Sequence, residues 1–137
     1  MCDTLSAFFT DNLGVRDVNI RTVDDLGSAI YGSGVCSLET DSETLAHASI
    51  SRIDGASTNW TPGPAMKPMS GTSQAAWLFD GRPYGLVEIT TLGDDRQCVI
   101  QLQEQQAHTL SGPLILTDTQ LHDVAELCVE LTQYLKK

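Results

Sequence analysis

Four cysteines and three histidines are the side chains here that could carry nucleophilic or metal chemistry: Cys2, Cys36, Cys98 and Cys128, with His47, His108 and His122. A cysteine nucleophile needs a lowered thiol pKa and an imidazole beside it. Cys36, close to Gly32 and Gly34, with His47 as base, is the pairing that the residue types allow. Free cysteine is also among the most buried residue types, and a small core hydrophobe is the expected role of Cys36. The four cysteines are widely and irregularly spaced, with none of the close pairs of a metal knuckle or redox motif. That spacing reads as buried free thiols in a reducing, cytoplasmic compartment. Asp118, His122 and Glu126 fall on one line of a helix at i, i+4 and i+8. One imidazole between two acids is expected to be a solvated face with helix-stabilising contacts, and no metal is expected. Gly32-Ser33-Gly34 is a lone GxG with no phosphate loop or dinucleotide fingerprint around it, so no cofactor is expected.

Gly71-Thr72-Ser73-Gln74-Ala75 resembles the nucleophile-serine motif of subtilisin-like proteases over these few residues. A triad needs a base beside the nucleophile and a carboxylate orienting that base. No matching histidine or aspartate motif accompanies Ser73, and the chain is about half the length of such a catalytic domain, so Ser73 is read as a polar cap. With no catalytic set assembled, the protein is expected not to be an enzyme.

Charge points elsewhere. Eighteen acidic residues against eight basic ones leave a net charge of −10. Such a surface is repelled by phosphate backbones and anionic membranes, which excludes direct binding to either, and it attracts a basic protein partner. Asp123, Glu126 and Glu130 repeat on the outer side of the last helix, where neighbours stand about 5–6 Å apart. Exposed carboxylates so arrayed could imitate phosphates, as some phage-encoded inhibitors do. Residues 54–74 add a second candidate surface. They are rich in Pro, Gly, Ser and Thr yet hold Trp60, Met66 and Met69. Long structureless stretches are uncommon in compact domains and are usually functional. Tryptophan is frequent among binding hot spots and methionine adapts to varied surfaces. These apolar groups either fold back onto the core or are presented to a partner.

The elements that must position these residues follow from periodicity. Thr117-Asp118-Thr119-Gln120 is a capping box, with Leu116 and Leu121 in the positions of a hydrophobic staple. Leu121, Val124, Ala125, Cys128, Leu131 and Leu135 then share one helical face. A shorter first helix opens at Asp3 or Thr4, carries Leu5, Phe8, Phe9 and Leu13 on one face, and stops at Gly14. Between them the period changes to two. Strands are expected at 18–23, 29–38, within 40–53, at 76–79, 84–91 and 96–103, with Asp80-Gly81 as a hairpin turn. A length of 137 residues is one domain. The chain has no apolar run near the ~20 residues of a membrane-spanning helix.

These features predict an α+β domain: an antiparallel sheet of five to six strands flanked by an N-terminal and a longer C-terminal helix. Element order, small size and acidity loosely resemble type III secretion chaperones, a resemblance that implies a dimeric escort protein. The function expected is stoichiometric binding to another protein with a basic surface, as an inhibitor, immunity-type or escort protein or a nucleic-acid mimic. The expected contact residues are Trp60, Met66, Met69, Asp123, Glu126 and Glu130, and a homodimer is left open. The alternative is a small enzyme or ligand binder whose pocket lies between sheet and helix, lined by Cys36, His47 or His108.

Overall fold

The computed structural model describes residues 2–21, 34–40, 43–52, 63–82, 85–93, 96–104, 107–110 and 112–133. The chain enters through a short helix, α1 (Cys2–Ala7), which runs on as a π-helical turn, Phe8–Asn12. Gly14, at φ +71°, takes the left-handed stop that this segment requires. Seven strands follow in one sheet: β1 (Asn19–Arg21), β2 (Gly34–Thr40), β3 (Glu43–Arg52), β4 (Lys67–Met69), β5 (Ala75–Gly81), β6 (Leu86–Leu92) and β7 (Arg96–Gln103). A small hairpin, β8 (His108–Thr109) and β9 (Gly112–Pro113), leads to the long helix α2 (Asp118–Gln133).

The sheet order is β1-β2-β3-β7-β6-β5-β4, every neighbouring pair antiparallel. Two meanders, β1–β3 and β4–β7, therefore meet along β3 and β7. This topology explains the long connection. The second meander begins at the far edge of the sheet, so β3 and β4, consecutive in the chain, stand four strand spacings apart, about 19 Å.

The α+β class and the two flanking helices agree with the expectation, but the main sheet has seven strands rather than five or six. The additional strand is β4, a three-residue element inside the stretch read as loop, and β8–β9 is a further hairpin. Strands this short carry no periodicity; pairing to β5 creates β4. The Asp80-Gly81 turn is corrected by two residues. Both lie in β5, opposite Val87 and Leu86, and beyond them the Gly85 N–H donates to the Arg82 carbonyl at 3.1 Å. Gly85, at φ +82°, adopts a left-handed conformation that glycine takes without steric cost.

One face of the sheet holds the core. Cys36, Leu38, Ala48, Ile50, Ile89, Cys98, Ile100 and Leu102 are buried on it, against Leu5 and Phe9 from the N-terminal segment and Leu121, Val124, Ala125, Cys128 and Leu131 from α2. Burying each large aliphatic or aromatic side chain contributes roughly 1.5–3 kcal/mol. A register shift opposite Leu38 and Glu39 lets consecutive Leu45 and Ala46 both be buried. The capping box forms as read: the Gln120 N–H donates to Thr117 Oγ1 at 3.1 Å, and the Thr117 N–H donates to Gln120 Oε1 at 2.9 Å. Leu116 and Leu121 are both buried beside it.

The cysteines correct the expectation of free thiols. Cys2 is bonded to Cys36 and Cys98 to Cys128, with Cα–Cα separations of 5.6 and 5.7 Å. Each bond ties one helix to the core face, α1 to β2 and α2 to β7. No helix among the described residues is long and apolar enough to cross a membrane.

Candidate functional site: an acidic groove between the two helices

On the N-terminal segment, Asp3, Ala7 and Asp11 recur every four residues, and Phe8 lies beside that line. Residues so spaced share one face of a helical path. On α2, Leu127 and Glu130 are one turn apart. Docking both helices on the same face of the sheet brings these six together around an open groove of about 450 Å³. Its floor is apolar: Leu127 is buried, and half-buried Phe8 sits edge-on to Phe9 with ring centroids 6.0 Å apart. Its rim is anionic. Asp3, Asp11 and Glu130 are exposed, and none has an ion-pair or hydrogen-bond partner among the described residues. Three exposed carboxylates around an apolar floor favour a ligand that combines positive charge with an aliphatic or aromatic side chain.

The other polar clusters are committed to holding the fold. The Arg82 guanidinium grips Asp80 through two parallel bonds of 2.8 and 2.6 Å. It also donates to the Leu116 carbonyl at 2.9 Å and stands 3.2 Å from Asp118. Those guanidinium bonds hold the Asp80 carboxyl below its ordinary range, and Asp80 in turn raises the pKa of Arg82. The Leu116 N–H donates to Glu104 Oε2 at 3.3 Å, so charged side chains hold both polar groups of Leu116 just before α2 begins. Glu104 is 7% exposed and its second oxygen has no partner; burial pushes its pKa up.

A second clamp joins the stretch before β5 to α2. The Ser73 N–H donates to Glu126 Oε1 at 2.7 Å, and the Ser73 hydroxyl donates to Glu126 Oε2. Both bonds, the hydroxyl first, hold the Glu126 carboxyl below its usual value, helped by His122 one turn away. Gly71 lies against the His122 ring, where a Cβ would come within 3.2 Å of Cε1. Ser73 is thus a donor to a carboxylate rather than a partner of an imidazole. On the sheet's other face, Ser37 Oγ and His47 Nδ1 are 2.8 Å apart, and Gln101 donates to Glu88 at 2.7 Å.

These positions redistribute the residues singled out in the sequence. Glu130 reaches the groove and Asp123 is exposed, but Glu126 is occupied by Ser73, so the three do not form one free carboxylate array. Met69 is half-buried and packs against the core, and Met66 is half-buried. Trp60 lies outside the described residues. Cys36 is fully buried in its disulfide, which removes it as a nucleophile, and strand alternation puts His47 on the opposite face. His108 is exposed on β8, away from both. Asp3 reads in sequence only as a helix cap, and Asp11 carries no sequence expectation. The available signal is their eight-residue spacing on one helical face, but Glu130 joins them only through the fold. Comparison with protein-family models, with curated proteins and with solved structures finds no match.

Proposed function

We propose that this protein acts by stoichiometric association with another protein, receiving a cationic, partly apolar segment in the groove between α1 and α2. The observation that carries the reading is the set of three exposed carboxylates, Asp3, Asp11 and Glu130, without a partner among the described residues, around the Phe8 and Leu127 floor. A net charge of −10 supports it by steering basic partners inward. An inhibitor, an immunity-type protein and an escort all work by such binding, without chemistry of their own. Where the captured segment otherwise holds nucleic acid, the protein acts as a mimic, and an oligonucleotide competes with it. Two disulfides also move the expected compartment from the cytoplasm to an oxidising one, where such bonds persist.

The test is fluorescence anisotropy of a labelled amphipathic lysine–leucine peptide against the oxidised protein. Each of Asp3→Lys, Asp11→Lys and Glu130→Lys weakens binding about fivefold, because a rim charge is worth about 1 kcal/mol. Raising salt narrows the difference. Equal affinity for the wild type and the three reversals, at low and high salt alike, would remove the groove as the docking surface.

A further inference from the structure

We infer that the Cys2–Cys36 disulfide is a reducible latch that sets whether the acidic groove exists, an inference that rests on the groove reading above. The four bonded cysteines are not equivalent. Cys36, Cys98 and Cys128 are each 0% exposed, whereas Cys2, at the start of α1, is partly exposed. Thiol–disulfide exchange begins with in-line attack of a thiolate on one sulfur, and access decides which sulfur is attacked. Cys2 is the one bonded cysteine that is not fully buried, so its sulfur is the expected target, whereas the Cys98–Cys128 bond, between β7 and α2, has both residues fully buried.

The reductant is a dithiol, of the class of dithiothreitol or a vicinal-dithiol oxidoreductase. Its thiolate bonds to Cys2 Sγ while the Cys2–Cys36 bond breaks, and the Cys36 sulfur leaves with the electron pair and takes up a proton. The second thiol of the reductant then attacks the mixed disulfide. Cys2 departs as a thiol and the reductant as its cyclic disulfide, so two electrons and two protons have passed to the protein.

What reduction releases is the groove's N-terminal wall. α1 is six residues long, far below the ~12–15 at which an isolated helix becomes even marginal in water. Its order comes from its tether to β2 and from Leu5 and Phe9 beneath it. The same segment carries Asp3 and Asp11, so loosening it disperses two of the three rim charges and uncovers Phe8. Glu130, on the separately bonded α2, stays in place. Oxidised protein therefore holds a cationic segment and reduced protein lets it go.

The full chain, titrated with dithiothreitol and trapped with iodoacetamide, reports each cysteine by mass spectrometry. Alkylation of Cys2 and Cys36 is expected at reductant concentrations that leave Cys98 and Cys128 bonded. Under those conditions amide exchange rises over residues 2–12 but not over α2, and affinity for the labelled lysine–leucine peptide falls about tenfold. Cys2→Ser shows the same weak binding with no response to reductant, and its helix content by circular dichroism separates this from global unfolding. The latch is overturned if Cys98 and Cys128 are alkylated first or together with the other pair. It is equally overturned if residues 2–12 stay protected and the affinity is unchanged after reduction. Absence of peptide binding by the oxidised protein overturns the groove reading instead, while the exchange data still judge the latch.

Discussion

Removing the Cys98–Cys128 bond as Cys98→Ala with Cys128→Ala tests how this small domain is held together. The bond closes a loop with a sequence separation of 30 residues. Loop-closure entropy scaled to that length corresponds to about 3.6 kcal/mol at 25 °C, through constraint of the unfolded chain. Both side chains are fully buried between β7 and α2, and alanine keeps the site apolar, so the loss of the cross-link dominates. Equilibrium urea unfolding is the assay. With a slope of about 2 kcal/mol/M, the midpoint falls by about 2 M. The Cys2–Cys36 loop has a separation of 34 and corresponds to about 3.8 kcal/mol. The loops share no residues, so the two contributions add to about 7 kcal/mol, comparable with the whole stability of an ordinary domain. Complete reduction is thus expected to leave the chain at or beyond its unfolding midpoint. A loss below about 1 kcal/mol for the double alanine variant, at unchanged slope, would refute the loop-closure reasoning.

Glu104→Gln is expected to raise the melting temperature at neutral pH. Burial raises the carboxyl's pKa in the folded state, so the folded chain binds its proton more tightly than the unfolded one. That stability is present below the ordinary glutamate range and is lost as pH rises through the folded value; melts of the two proteins should converge in acid. Ser73→Ala costs about 1 kcal/mol by urea titration, because Glu126 loses a charge-assisted partner at a partly exposed site. The sign for Glu126 is opposite to that for Glu104: its carboxyl is held down, so the clamp weakens as pH falls, and the Ser73→Ala penalty shrinks with it. Thr117→Ala removes the cap of α2 and costs about 1 kcal/mol, a loss that Thr117→Ser restores.

How much was legible depended on whether the determining contacts were local. α2 was read almost residue by residue, because a capping box and a 3.6-residue period are both contained within the element. The disulfides were not, although their ingredients were visible. Cys98 alternates with Ile100 and Leu102 on one face of β7, and Cys128 stands on the apolar face of α2. Two elements whose apolar faces both contain a cysteine are candidates to be bonded once they pack together. Irregular sequence spacing conveys nothing about that distance. β4 and the β8–β9 hairpin were invisible because two or three residues carry no period; their partners create them. The groove needed residues more than a hundred positions apart, and only the docking of α1 and α2 on one face brings Asp3 and Asp11 to Glu130.

The sheet's outermost strands bear on how a partner can be met at all. Among the described residues β1 and β4, at the two ends, have three residues each; β1 is exposed over Asn19–Arg21, and β4 is Lys67-Pro68-Met69. Proline offers no amide hydrogen, and a border this brief leaves too few main-chain groups to template an added strand. At the β4 end this disfavours zipper-like growth of the sheet, whether by a visiting peptide or by further copies of the chain. A partner of the kind proposed would at that border be met through side chains, where a single substitution can retune the contact without disturbing the sheet.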